Sequence, residues 1–261
     1  MDSREVAKYW GGNAERWTKL VRMGCDVYRE CVLGPPFLEI LGDVRGFNGL
    51  DVGCGEGYST RLAAKKGAVM TGVDVSEVFV RHAKEAEEQE RLGITYTVGD
   101  ATRLAFEDGG FDFVMAMMSL MDVQKPEEAI REAHRVLKRG GFFQFAISHP
   151  CFATPKWEWI CDQEGRREAL KCGDYFRELD GDVEKWMFSA TPKELRTEMG
   201  QFQVPRFTMI LSRWLNLLVD AGFVLERFGE PAADDEALRK WPVLADSRQV
   251  AYFLIVRSRK I

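Results

Sequence analysis

Residues Leu50–Gly57 read Leu-Asp-Val-Gly-Cys-Gly-Glu-Gly, and Asp74 ends a second apolar run 17 positions after Gly57. The first of these segments closes a buried apolar strand and opens into a loop whose backbone can approach a ligand, because glycine carries no Cβ. The loop leads into a predicted helix, Tyr58 to Lys66, and Ala68–Val73 reads as a second strand. In a doubly wound α/β fold, an acid at the end of that strand falls where ribose hydroxyls sit. The pair predicts a nucleoside-cofactor site.

The spacing narrows the cofactor. The dinucleotide fingerprint is G-x-G-x-x-G, with its last glycine inside the helix. Here Gly53, Gly55 and Gly57 form G-x-G-x-G, preceded by Asp51. This resembles the first motif of the class I S-adenosylmethionine-dependent methyltransferases. Further segments follow in the order that family shows. Ile94–Val98 is a β-branched run ending in Gly99-Asp100-Ala101, similar to the family's adenine-binding turn. Phe111–Ala116 reads as a fourth strand running into Met117–Asp122, and Pro126–Leu137 as a helix with proline in its first turn. Arg135–Gly141 resembles the family's RVLKPGG turn, with Arg139 where proline is usual, and Phe142–Ser148 is a fifth strand. The resemblance runs from about Gly49 to Pro150, and Ser148-His149-Pro150-Cys151-Phe152 with the aromatic insertion after it resembles members of the type 11 methyltransferase group.

What the resemblance implies is a Rossmann-like, doubly wound seven-stranded sheet, its last strand antiparallel, with helices on both faces. Residues 1–45 read as an N-terminal helical cap broken at Gly34-Pro35-Pro36, and 46–150 as the strand–helix core. Residues 151–206 interrupt the alternation and are rich in aromatics and charge, so a helical and aromatic lid is expected there. Residues 207–261 hold a helix, Thr208–Ala221, and two strands, Phe223–Phe228 and Val250–Val256. All four segments are expected to form one domain. With 46% hydrophobic residues, 261 residues can bury one such core.

Charge and cysteine usage exclude some classes. A net charge of −5 argues against a large nucleic-acid footprint, and the acidic run around Glu85–Glu90 reads as a solvated helix face. Six cysteines without a C-x-x-C pair suit reduced thiols rather than zinc, so no metal is expected. No signal pattern and no bilayer-length apolar run occurs, so a cytoplasmic location without membrane contact is expected.

The resemblance assigns S-adenosylmethionine (SAM), giving S-adenosylhomocysteine (SAH), to a set of positions. Gly53, Cys54, Gly55 and Gly57 form the loop, and Asp51 orders it near the methionyl amino group or supports the turn alone. Asp74 takes the ribose hydroxyls, or caps the next helix, although Ser76 is the better cap. Val75 flanks Asp74. Asp100 meets the adenine amino group beside Ala101, unless the pair is an ordinary Gly-Asp turn. Met117 lies near the sulfonium or simply packs. Tyr9 and Trp10 resemble aromatic residues that cover SAM in related enzymes. Trp10, Ser119 and Tyr175 are the residues expected to face the acceptor. His149, just past the fifth strand and held extended by Pro150, is the candidate base, or it only hydrogen-bonds the strand end. Cys151 reads as an inert thiol.

The expected activity is methyl transfer to an O, N or C atom of a small, partly apolar acceptor. Alternatives are tRNA or protein methylation, a SAM-binding protein without turnover, and an NAD-dependent oxidoreductase, whose glycine spacing is absent.

Overall fold

A computed structural model describes residues 1–261. Its centre is a seven-stranded sheet built from β1 (Asn48–Val52), β2 (Val69–Asp74), β3 (Thr95–Val98), β4 (Phe111–Met117), β5 (Leu137–Ser148), β10 (Phe223–Gly229) and β11 (Phe253–Lys260), in the order β10-β11-β5-β4-β1-β2-β3. β1 pairs in parallel with β2 and β4, and β4 with β5, whereas β11 runs antiparallel to both β5 and β10. The antiparallel last strand is therefore present.

The sheet is buried on both faces, and side-chain alternation deals its residues to two cores. Phe113 and Met115 face one core with Phe37 and Leu41 of α2 (Gly34–Leu41), Ala63 of α3 (Tyr58–Lys65) and Val80 of α4 (Glu77–Glu90). Their neighbours Val114 and Ala116 face the other, with Ile130 and Ala133 of α5 (Pro126–Val136) and Trp214 and Leu218 of α7 (Leu211–Asp220). Helices cover both faces because each carries one apolar stripe to bury.

Several boundaries differ from the sequence reading. Gly34-Pro35-Pro36 does not break the helix: α2 follows directly on a π-helical turn, Arg29–Leu33, and Gly34 N donates to Arg29 O across the junction. β5 begins at Leu137, directly where α5 stops, so the glycine turn is absorbed into a long strand. β11 starts at Phe253 and continues through Arg257–Lys260, past the apolar run. Those polar residues stay in the strand because they serve helix ends: Arg257 Nη1 donates to Ile40 O at 2.8 Å, and Lys260 Nζ to His134 O and Leu137 O at 2.7 Å. Cations are favoured there by the helix dipole.

The 151–206 insertion is mainly β, not helical. β6 (Lys156–Cys161) pairs antiparallel with β7 (Arg167–Gly173), and β8 (Asp180–Trp186) with β9 (Phe202–Phe207), leaving only the short α6 (Lys193–Met199). α1 (Ser3–Arg22) lies against this insertion. Its start is fixed by a capping box, in which Asp2 accepts from Glu5 N and Glu5 accepts from Asp2 N. Trp17 of α1 packs on Phe188 and Phe202 with ring centroids 4.8 Å apart. Asn13, fully buried, donates to Gln203 O at 2.8 Å and accepts from Gln203 N at 3.1 Å, closing the free edge of β9. α1, β8 and β9 thus make a roof over the C-terminal ends of the parallel strands.

Candidate active site

Beneath the roof lies a largely apolar cavity of about 590 Å³. Its floor is the glycine loop. Gly53 N and Cys54 N both donate to Val73 O, at 2.8 and 3.0 Å, which clasps the loop to the end of β2. Asp74 completes the clasp: its Oδ2 accepts from Gly55 N at 2.8 Å and its Oδ1 from Ser76 N at 2.9 Å. Burial pushes the Asp74 carboxyl upward, and these two N–H groups pull it back. Ser76 is the cap of α4, accepting from Phe79 N.

The three motif glycines have different physical reasons. Gly53 (φ +71°) has no room, because a Cβ there would meet Ser119 Cβ at 2.3 Å. Gly57 (φ +87°) is excluded from the cavity wall and packs on Tyr96, whose hydroxyl would be 2.4 Å from a Cβ. Gly55 (φ +56°) lines the cavity and has no heavy atom within 4 Å of its Cβ position, so it leaves an open cradle. Cys54 also lines the wall, and burial raises its thiol well above the usual range.

Asp51 is placed elsewhere than on the wall. It is 1% exposed, and Thr60 Oγ1 donates to its Oδ2 at 2.6 Å, so its visible task is to hold the first turn of α3 against β1. Burial, with Asp74 nearby, lifts its carboxyl to about 7. A carboxyl raised from 3.8 in the folded state binds more protons folded than unfolded, so stability falls as pH rises from about 4 to 7. The fall is at most roughly 4 kcal/mol. Urea unfolding of the ligand-free protein at pH 5 and pH 7.5 is expected to show this loss, and Asp51→Asn to flatten it. An equal loss in the variant would assign the dependence to other groups.

Val75, Asp100, Ala101, Met117 and Ser119 all lie on the cavity wall. Asp100 Oδ1 accepts from Thr102 N and Oγ1, both at 2.8 Å, which leaves Oδ2 unengaged. Met117 Sδ receives Ser59 Oγ at 3.1 Å, and Ser119 Oγ donates to Val52 O at 2.6 Å. The Ser119 hydroxyl thus braces the glycine loop, with its hydrogen already committed. Trp10 and Tyr175 also reach the wall, whereas Tyr9 is not part of it. On a helix, adjacent residues face about 100° apart, so only one of the Tyr9-Trp10 pair can point inward. Trp10 does, edge-on to Trp17 with centroids 5.4 Å apart.

His149 departs from the expectation of a base. It is 3% exposed and not on the wall, although Ser148 and Pro150 beside it are. Both ring nitrogens are engaged: Nε2 lies 2.8 Å from Glu230 Oε1, and Nδ1 accepts from Cys151 N at 3.2 Å. The imidazole turns away from the cavity and ties the end of β5 to the segment after β10, which is the strand-end alternative.

Arg29 and Asp122 are among the wall residues that the sequence reading did not single out. Arg29 lies close to the glycine loop, with Nε 3.0 Å from Asp26 Oδ2 and its guanidinium 4.3 Å over the Tyr58 ring. No sequence pattern marks it. Asp122 follows β4 on a single 3₁₀ turn, Leu120–Asp122. Its signal was available: an acid inside the run Met115–Val123, where Ser119 is the one other polar residue.

Comparison with known proteins agrees with this geometry. Residues 50–145 match the family model described as a methyltransferase domain. The chain is 37% identical over 103 residues to the ubiquinone biosynthesis O-methyltransferase of Coxiella burnetii, covering 40% of this chain and 44% of that protein. It is 32% identical over 142 residues to the demethylmenaquinone methyltransferase of Renibacterium salmoninarum, covering 54% of this chain and 52% of that protein. The chain therefore matches about half the length of these curated relatives. Among solved structures, an S-adenosylmethionine-dependent methyltransferase from Mesorhizobium loti superposes with a TM-score of 0.70 at 29% identity, covering 86% of this chain and 96% of that one. No helix is long and apolar enough to cross a membrane.

Proposed function

We propose, from the premise that this chain belongs to the class I S-adenosylmethionine-dependent methyltransferases of the type 11 group, that it transfers a methyl group from SAM to a small, partly apolar acceptor. The observation that carries the reading is the Gly55–Asp74 unit on the cavity floor, with an open cradle at Gly55 and a carboxylate clasped beside it. The residues present suit SAM. Each Asp74 oxygen accepts one N–H and has further lone-pair capacity for a ribose hydroxyl. Asp100 Oδ2 is free to accept from an adenine amino group, between Val75 and Ala101. Arg29, near the loop, would meet the carboxylate end. The cavity volume falls within the usual range for ligand pockets, about 300–1,000 Å³.

SAM supplies an already electrophilic methyl group when bound. The work left to the protein is alignment and exclusion of water, and alignment of this kind can contribute about 7–11 kcal/mol. Trp10, Trp17, Trp186 and Phe188 form the water-excluding cover, and Met117 and Tyr175 bound the space for the acceptor. His149 receives no proton role here. Relatives named for ubiquinone biosynthesis and for demethylmenaquinone support a small-molecule acceptor. The net charge of −5 and the free thiols support a cytoplasmic enzyme that acts on neither nucleic acid nor membrane surface.

Calorimetric titration with SAM, SAH and NAD tests the reading. Micromolar binding of the first two and none of the third is expected. A folded protein that binds neither SAM nor SAH would remove its basis.

A further inference from the structure

Six carboxylates stand on the cavity wall: Asp26, Glu56, Asp74, Asp100, Asp122 and Glu184. Five have partners in the protein. Asp26 faces Arg29 at 3.0 Å, Glu56 pairs with Arg61 at 2.9 Å, Glu184 with Arg206 at 3.4 Å, and Asp74 and Asp100 accept the hydrogen bonds already described. Asp122 has none. Neither of its oxygens meets a donor, and no cation lies within ion-pair distance, although its backbone N–H is fixed to Ser119 O at 3.0 Å. A carboxylate facing an apolar cavity without a donor is costly, so it must either take up a proton or receive a hydrogen bond from what binds there.

The backbone holds Asp122 in that position by a strained turn. Met118, just after β4, has φ +57°, a left-handed conformation that a side-chain-bearing residue adopts only under strain. Its N–H is held by Ala146 O at 2.9 Å. The chain therefore reverses sharply above the sheet and presents Ser119 to Asp122 along the wall. Ser119 is committed to Val52 O, which leaves Asp122 as the acidic group of this turn open to a ligand.

We propose that Asp122 is the catalytic carboxylate that receives the acceptor, and that the acceptor is an uncharged apolar molecule presenting a hydroxyl to it. The inference rests on the SAM-dependent reading above and names the substrate class of the same site. In the step, a lone pair of the acceptor oxygen forms the new O–C bond while the C–S bond breaks. The bonding pair goes to sulfur, which ends as a neutral thioether. The hydroxyl proton passes to Asp122, which ends as a carboxylic acid. One positive and one negative charge vanish together, so no net charge is left stranded in a low-dielectric site. Burial and the nearby Asp74 hold the Asp122 carboxyl well above the usual range, which makes it a better proton acceptor than a solvated carboxylate. A carboxylate acceptor is disfavoured wherever Asp122 is ionised, since the two carboxylates would repel each other.

The test uses two probes of matched length, para-hexylphenol and para-pentylbenzoate, titrated into the full-length protein saturated with SAH. As the pH is raised and Asp122 ionises, the wild type is expected to come to bind the phenol at least about tenfold more tightly than the benzoate, because like charges at close range repel. Asp122→Asn keeps the side-chain shape without the charge, and is expected to bring the ratio to about one while still binding SAH. A wild-type ratio that stays near or below one as the pH is raised overturns the proposal, as does failure of both probes to bind. A preference that persists unchanged in Asp122→Asn overturns it too, by placing the discrimination elsewhere. The SAH titration that precedes each experiment separates the two levels. Loss of SAH binding in the wild type defeats the methyltransferase reading, whereas intact SAH binding with no effect of Asp122→Asn defeats this inference alone.

Discussion

Asp74→Ala is expected to weaken SAH binding by a hundredfold or more, about 3 kcal/mol, while the protein remains folded. The size follows from two losses. The carboxylate that would accept both ribose hydroxyls disappears, and hydrogen bonds to charged groups are each worth about 1.5–3 kcal/mol. Gly55 N also loses its acceptor, so the open cradle is no longer held in place. Asp74→Asn is not a mild change at this position. Both carboxylate oxygens receive backbone N–H groups, and an amide can accept only one of them while its NH₂ opposes the other. Calorimetry with SAH and with its 2′-deoxy analogue separates the ribose contact from loop support. The wild type should prefer SAH and the variants should lose that preference. Equal affinity for the two in the wild type would mean that Asp74 only braces the loop.

Gly53→Ala is the second large effect, and it acts on folding as well as binding. The residue has φ +71°, where an alanine costs about 1–2 kcal/mol. Its Cβ would also lie 2.3 Å from Ser119 Cβ and 2.7 Å from Ser119 Oγ, an overpacking worth roughly 1–3 kcal/mol. Urea unfolding should therefore show a loss of about 2–5 kcal/mol, with SAH affinity falling in parallel. Adding Ser119→Gly removes the atoms in the way. The double variant should recover the packing share but not the backbone share. A Gly53→Ala protein of unchanged stability would show that the loop and the post-β4 turn do not touch.

The glycine loop and Asp74 were legible because backbone requirements leave marks in sequence. A loop that must turn left-handed against Ser119 and Tyr96 writes glycine, and an acid at a strand end writes Asp74. The rest of the cavity leaves no such marks. β5 is buried on both faces over Phe142–Ile147, so alternation could not say which way His149 points. Its partner Glu230 lies 81 residues away. The β6–β7 pair was missed for the opposite reason: nearly all its side chains are exposed or half-buried, and a strand without a buried face shows no period-two pattern. Asp122 could have been noticed as an acid in an apolar run. That its partners are missing, however, is a fact about three dimensions.

The Asn13–Gln203 clasp bears on traffic. It joins two stretches of chain 190 residues apart, and the Trp17, Phe188 and Phe202 rings interlock beside it. Neither α1 nor β9 can swing aside alone without stranding a buried amide, so the cover moves as one body or not at all. Concerted motions of that kind run on microsecond to millisecond scales, slow enough to limit turnover through product release rather than methyl transfer.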